Sequence, residues 1–438
     1  MRDLLFVAIV LTCALLAVGK PFFGLLSYVA GSLLNLQSMT WGWAQTFPFA
    51  QCLAIGTLLG LVFSAKTKRF PKQRELFLLL MLWGFFAITT ITALEPDLAL
   101  ERLLYTSKIL LMVFVSMILI DSPDKLMQLM RVIALSLGFF GLKGGIFALA
   151  SGGNFMVWGP ERSFLAANNS IGLALVMNIP ILFHLLRVET NKRLRWLECA
   201  MLLFSYPAVV CTFSRGAWLG LGVVTGLIIW RSRHRVLALV AIVVLIPLSI
   251  PFLPERVIFR FGQLENFEEE SSAQSRLWNW EFCGRVGLAR PLTGAGFNYY
   301  SAEAYATFFP EFLTRWPGKV WTCHSAWFTI LGEHGFPGFM IWLALLGCCL
   351  LSLRRMRQYC VRHSEAASFL ELYGMLMGAF LGYMVAGTFL DVAYFDLFYQ
   401  LIAVTILAKE LLPEAFEQVR FEHPTMVLEP LESATRRT

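Results

Sequence analysis

The sequence predicts an all-α, polytopic integral membrane protein with about 12 transmembrane helices, and three observations lead to this fold class. Hydrophobic residues make up 57% of the 438 positions and charged residues only 15%, whereas soluble domains carry about a quarter charged residues. The mean hydropathy is +0.65. The apolar residues also fall into successive runs that approach or exceed the length of about 20 residues that a crossing needs.

The candidate spans follow one another along most of the chain. Two short apolar pieces, residues 4–19 and 22–36, are separated by Lys20-Pro21 and would form either two short helices or one broken crossing. The further candidates cover residues 47–64, 76–94, 103–120, 132–150, 164–186, 196–213, 216–230, 236–253, 326–351, 367–390 and 394–408.

The orientation follows from the Lys and Arg residues of the connections. Basic loops at residues 66–74, 187–195, 231–235 and 354–362 alternate with loops that are poor in both residue types. Cytoplasmic loops carry the excess of Lys and Arg, so the basic set is predicted to be cytoplasmic. The predicted domains are N-terminal transmembrane helices (1–253), one large periplasmic loop with the catalytic residues (254–324, the outer loop), C-terminal transmembrane helices (325–411) and a disordered cytoplasmic tail (412–438).

Composition also limits the function classes. The net charge of +7 is explained by the basic cytoplasmic loops, so no nucleic-acid partner is expected. The cysteines and acids show no metal-type spacing, so neither a metal nor a cofactor is expected. Cys283 and Cys323 both fall in the outer loop, where the periplasm would permit a disulfide; the sequence leaves open whether they are bonded.

Three polar residues are the predicted catalytic group. Arg215 occupies a very short turn between two spans, in Ser214-Arg-Gly-Ala217; the alternative is an interface arginine that snorkels. Arg276 lies on a helix-like run of the outer loop, with Trp280 one turn later; the alternative is a solvated arginine. His324 ends the outer loop at the mouth of a span, where the alternative is a structural histidine.

If these residues lie together on one face of a membrane, the two arginines could bind a diphosphate and the histidine could activate a hydroxyl. Guanidinium groups bind phosphate oxygens through two parallel hydrogen bonds, and an imidazole can remove the proton of an attacking hydroxyl. The periplasm has no ATP supply, so the energy must arrive with the substrate. A sugar linked to a lipid diphosphate meets that requirement.

Four further residues are predicted to bind substrate. Lys143 lies inside a span, where a charge costs about 3 kcal/mol, so it faces a cavity or partner, or else snorkels to the interface. Arg162 and Asn168 lie at the outer end of neighbouring spans; Asn168 would otherwise cap or join helices. Glu333 lies within the predicted span 326–351, which begins just after His324, and is expected to orient the site residues or adjust their properties.

Several motifs resemble the O-antigen ligase and polymerase superfamily. They are Arg215 in Ser-Arg-Gly-Ala, Arg276 before a Trp, Pro291-Leu-x-Gly-x-Gly-Phe297, and His324-Ser followed by Leu331-Gly-Glu-His-Gly-Phe336. A closer resemblance, to the exosortase-associated O-glycosylation ligases, is carried by Met39-Thr-Trp-Gly42, Phe47-Pro-Phe-Ala-Gln51, the glycine-rich run 138–145 and Val157-Trp-Gly-Pro160.

The resemblance implies an inverting, metal-independent glycosyltransferase of the bacterial inner membrane, with its active site facing the periplasm. The implied donor is an undecaprenyl diphosphate-linked glycan, and the implied acceptor is lipid A-core or a protein. Arg215 and Arg276 would hold the diphosphate, and His324 would activate the acceptor. Two alternatives remain open: a polymerase of lipid-linked repeats, and a non-catalytic lipid-glycan transporter, although transporters often show repeated halves and none is visible here.

Overall fold

The computed structural model describes residues 2–40, 42–64, 70–232, 235–237, 271–362 and 367–422, and this part of the chain forms helices and no strand. In chain order the helices are α1 (Arg2–Gly19), α2 (Pro21–Leu34), α3 (Phe49–Phe63), α4 (Arg74–Ile91), α5 (Pro96–Leu119), α6 (Pro123–Ala150), α7 (Asn168–Val188), α8 (Lys192–Val210), α9 (Arg215–Arg231), α10 (Ser271–Ala289), α11 (Ala302–Phe308), α12 (Pro310–Arg315), α13 (Ala326–Arg362), α14 (Ala367–Gly387) and α15 (Asp396–Glu422).

The all-α polytopic membrane fold is confirmed, whereas the count of about 12 crossings is not. Among the described residues, 6 helices are long and apolar enough to cross a membrane, and α1, α2 and α3 are shorter apolar helices. Lys20-Pro21 separates two helices, because Pro21 begins α2 as its first residue. The predicted span 236–253 and residues 254–270 of the outer loop lie almost wholly outside the described part.

Several predicted boundaries differ from the observed helices. The helix α6 begins at Pro123 rather than at residue 132, and α13 runs to Arg362, so the predicted basic loop 354–362 is helical. The helix α5 begins at Pro96, well before the predicted residue 103, because a proline at the first helical position favours helix initiation even in a polar stretch. The helix α15 runs to Glu422, so the predicted tail from residue 412 begins inside a helix, and residues 423–438 lie outside the described residues.

The glycine-rich run 138–145 is a helix-packing surface. On α6, a Cβ atom at Gly141 or Gly145 would overlap Ser205 or the backbone of Phe204 on α8. Glycine at these positions lets the two helix backbones approach closely, as small residues do between membrane helices. Lys143 lies between these glycines in sequence but is exposed, like Ile146 and Phe147.

The helix α13 is broken at Gly335, where the backbone has a φ of 62°. The turn 291–297 of the outer loop fills this break: the Ala295 N–H donates to Gly332 O at 2.8 Å, and the Gly296 N–H donates to Glu333 O at 2.9 Å. The Phe336 N–H in turn donates to Pro291 O at 2.8 Å. The turn therefore satisfies backbone groups that a broken helix would leave open.

The described part of the outer loop has its own small core. Aromatic rings from α10, α11 and α12 pack together, with Phe282 stacked on Tyr305 at 3.8 Å between ring centroids. A disulfide joins Cys283 on α10 to Cys323, with 6.1 Å between the Cα atoms. The question that the sequence leaves open is thus answered: these two cysteines are bonded.

Candidate active site

His324 is paired with a carboxylate that the sequence does not single out. Its Nδ1 lies 3.1 Å from Asp391 Oδ2, and the two side chains are 45% and 31% exposed. Asp391 is held in turn by the hydroxyls of Thr322 and Thr329, which donate to Oδ2 and Oδ1 respectively. An Nδ1 that faces a carboxylate leaves Nε2 as the nitrogen that can accept a proton from a substrate.

Arg215 is the first residue of α9, beside a turn that neighbouring helices fix. The Ser214 side chain caps the helix by accepting from the Ala217 N–H, and the Asn168 side chain donates to Thr212 O at 2.8 Å. The next residue, Gly216, lies so close to the end of α14 that a Cβ atom there would be 3.2 Å from Ala386 O and 3.3 Å from Cβ of Phe389, which follows that helix. Arg215 is half-buried at the positive end of the helix dipole.

Arg276 is half-buried on α10, one turn before Trp280. The Trp280 ring stacks on Phe328 of α13 at 5.5 Å between centroids and lies 5.9 Å from the Phe389 ring. Because Phe389 also contacts the start of α9 and precedes Asp391 by two residues, the segments that carry Arg215, Arg276 and His324 converge on the connection between α14 and α15.

Glu333 is only 1% exposed and belongs to a buried polar network. Its Oε1 accepts from the Asn298 N–H at 3.0 Å, and its Oε2 accepts from the Tyr394 hydroxyl. Tyr394 also lies 2.7 Å from His334 Nε2. This burial favours an orienting role over direct substrate contact, since Glu333 ties the outer loop and the α14–α15 connection to α13.

The other predicted substrate-binding residues either lie away from the α14–α15 connection, where the segments of Arg215, Arg276 and His324 meet, or support that region indirectly. Asn168 acts on the backbone of the turn before Arg215, which agrees with its alternative reading as a helix-joining residue. Arg162 is exposed and donates to Gln45 Oε1 at 3.4 Å. Lys143 is exposed on α6. For these residues, substrate binding stays a prediction.

Sequence reasoning missed Asp391 and Arg102. Asp391 lies in a short acidic connection, where it resembles a solvated residue. Arg102 lies in the second turn of α5, with its guanidinium carbon 5.4 Å from the Tyr394 ring centroid. Arg102 could have been proposed as a site residue on one ground: it directly precedes the predicted span 103–120, on the membrane face predicted for Arg215.

Two family models match the chain. Residues 199–343 match the O-antigen ligase model, and residues 1–190 match a family of unknown function (DUF5935). No curated protein matches. The first match includes the positions of Arg215, Arg276, His324 and Glu333, and it confirms the superfamily that the motifs indicate; the exosortase-associated subfamily is not confirmed.

Proposed function

We propose, from the O-antigen ligase domain at residues 199–343, that this protein transfers a glycan from an undecaprenyl diphosphate-linked donor to an acceptor hydroxyl. The reaction would take place at the periplasmic face of the bacterial inner membrane. The domain itself supports ligase- or polymerase-type glycosyl transfer in general. The donor, the acceptor and the stereochemical outcome are the finer parts of the proposal.

The donor diphosphate would lie between Arg215 and Arg276. Guanidinium groups remain charged in a low-dielectric groove and match the geometry of phosphate oxygens. Arg215 adds its charge to the positive end of the α9 dipole, which favours an anion. The prenyl chain would remain among the membrane helices, and the sugar would point towards His324.

The observation that carries the proposal is the 3.1 Å contact between His324 Nδ1 and Asp391 Oδ2. The acceptor oxygen would attack the anomeric carbon on the face opposite the diphosphate, while its proton passes to His324 Nε2. The bond from the anomeric carbon to the diphosphate oxygen breaks, and undecaprenyl diphosphate leaves with the electron pair. Asp391 stabilises the imidazolium that forms, and the arginines stabilise the departing diphosphate.

The acceptor distinguishes a ligase from a polymerase. A ligase would use lipid A-core or a protein hydroxyl, whereas a polymerase would use a second lipid-linked repeat. Both use the same base and the same leaving group, so the pair His324–Asp391 serves either outcome. A transporter that carries out no chemistry has no need of a base at this position, which is why we favour an enzyme.

The proposal is tested with purified protein in lipid vesicles that contain an undecaprenyl diphosphate-linked oligosaccharide. Lipid A-core, an exported protein with exposed hydroxyls, and the donor alone are supplied as acceptors in separate reactions. Mass measurement of the product identifies the acceptor, and NMR of the new glycosidic bond reports whether the configuration is inverted. A donor that stays intact with every acceptor would overturn the proposed activity.

A further inference from the structure

A disulfide ends next to the proposed base. Cys323 immediately precedes His324 in the chain, and its partner Cys283 lies on α10, the helix that also carries Arg276. Both cysteines are fully buried in the core of the outer loop. The bond therefore joins the helix of Arg276, which is proposed to bind the donor diphosphate, to the residue that precedes the proposed base, His324.

The backbone of His324 has a conformation that the surrounding structure must stabilise. Its φ is 49°, in the left-handed region that residues other than glycine seldom adopt. Such a conformation persists only where the surroundings impose it. On its C-terminal side, α13 begins, with the Thr329 N–H donating to Ser325 O at 2.9 Å. On its N-terminal side, the covalent anchor is the bond of Cys323.

The helix at the other end of the bond is fixed independently of it. Trp280 of α10 stacks on Phe328, and a Cβ atom at Gly287 would lie 2.9 Å from Leu331 Cγ. Both partners belong to α13, so the two helices pack closely. Opening the bond would leave α10, and with it Arg276, packed on α13. The segment before His324 would lose its covalent link to α10 and keep the hydrogen bonds of Thr322 to Asp391 and of the Tyr305 hydroxyl to Trp321 O.

Two phenols complete the surroundings of the bond. The hydroxyls of Tyr299 and Tyr300 lie 3.8 Å and 3.4 Å from Cys323 Sγ. Burial raises the pKa of both phenols well above the ordinary value, so both stay protonated and can donate to a bonded sulfur, which carries no hydrogen. In the bonded state, the two hydroxyls thus add polar contacts to the sulfur of Cys323 beside the covalent bond.

We infer that Cys283 and Cys323 are positioning residues, which hold His324 in its active conformation, and that the site is complete only after these two thiols are oxidised. This inference rests on the proposed function. The oxidation is a thiol–disulfide exchange: a protein disulfide of an exported thiol oxidase takes up two electrons and two protons, and the two cysteines form their bond. That reaction must precede glycosyl transfer.

The test compares kinetics with the bond present, removed and chemically opened. The variants are Cys283→Ala with Cys323→Ala, and a matched control, Cys199→Ala with Cys348→Ala, which changes two half-buried free cysteines. The purified wild type is also treated with reductant until alkylation detects both additional thiols. Transfer rate, donor KM and thermal unfolding are measured for each protein.

We expect kcat to fall about 10- to 100-fold without the bond, because a misplacement of about 1 Å has costs of this order. The donor KM should change less than threefold, the control pair should behave as wild type, and reoxidation should restore kcat. Transfer within twofold of wild type after removal or opening of the bond would overturn the inference. So would loss of donor binding together with unfolding, since the bond would then serve only general stability.

The two proposals fail in different ways. An oxidised wild type that transfers no glycan to any acceptor would overturn the proposed function itself. An active wild type whose kcat is indifferent to the disulfide would leave that function standing and remove only the positioning role of the cysteines.

Discussion

Asp391 and His324 lie on different elements, yet the carboxylate Oδ2 and the imidazole Nδ1 are 3.1 Å apart. The carboxylate fixes which ring nitrogen is available to a substrate and stabilises the positive charge that the ring acquires. Asp391→Asn would keep the shape and remove the charge. We expect kcat for transfer to fall about 10- to 100-fold, less than the loss of the base itself.

The matched control is Asp97→Asn, which changes an exposed acid in the first turn of α5. It should leave kcat within twofold of wild type. Equal effects of the two substitutions would show that general charge near the membrane surface, rather than the contact with His324, determines the rate.

The proposed base and the proposed donor ligands should differ in their kinetic signatures. His324→Ala should lower kcat by about 10²- to 10⁴-fold while donor binding is retained, because the imidazole acts on the acceptor. Arg215→Ala should weaken donor binding as well, because the guanidinium contacts the diphosphate both before and during its departure. Binding of a fluorescent donor analogue separates the two effects.

The control for this comparison is Arg285→Ala, since Arg285 lies on α10 and pairs with Glu281 and Glu311 at an exposed site. An exposed ion pair of this kind contributes about 0–1 kcal/mol, so donor binding should be unchanged. Near-normal transfer by His324→Ala would support the alternative that this histidine only terminates the outer loop.

Glu333 is expected to matter for stability more than for substrate contact. Glu333→Ala would leave the Asn298 N–H and the Tyr394 hydroxyl without their acceptor, and each buried unsatisfied group costs about 1–3 kcal/mol. The unfolding temperature in detergent should therefore fall. Glu303→Ala, at an exposed site on α11, should leave it unchanged; an unfolding temperature equal to wild type in both variants would contradict the structural role.

The orientation of the chain is tested by labelling. Single cysteines are introduced at Arg357 and at Lys319 in a variant that retains the Cys283–Cys323 bond and lacks the free cysteines. Because basic loops are cytoplasmic, an impermeant thiol reagent applied to spheroplasts should label position 319 and spare position 357. Labelling at 357 in intact spheroplasts would reverse the assigned face of the whole site.

Hydropathy was sufficient to locate apolar helices of the described chain, because lipid-facing and core-facing residues are both apolar. It did not establish how many of them cross the membrane, since only 6 described helices are long and apolar enough to do so. The ends of the helices depend on other effects. Pro96 starts α5 within a polar stretch, and the break of α13 at Gly335 lies inside an apolar run that looked continuous. Hydrophobic periodicity does not reveal the break, because the break depends on backbone hydrogen bonds with the turn 291–297, which is distant in sequence.

The sequence predicted only part of the candidate site, because it reveals unusual residues but not the contacts between distant segments. Arg215, Arg276 and His324 could be named because charged residues beside apolar runs are unusual and because their motifs occur in a fixed order. Asp391 could not be named, because its partner is distant in sequence and spacing carries no information about a contact between separate elements. Burial was also inaccessible: Glu333 looks like a candidate ligand until its exposed fraction is known.

The turn 291–297 has a consequence for engineering. Its N–H groups satisfy the carbonyls of Gly332 and Glu333, so the loop and the membrane helix share one hydrogen-bonding unit. A chimera that exchanges the outer loop of this protein for that of a relative would have to exchange residues 332–336 with it. If the junction were placed at His324, mismatched partners would leave backbone carbonyls of the buried residues Gly332 and Glu333 unsatisfied.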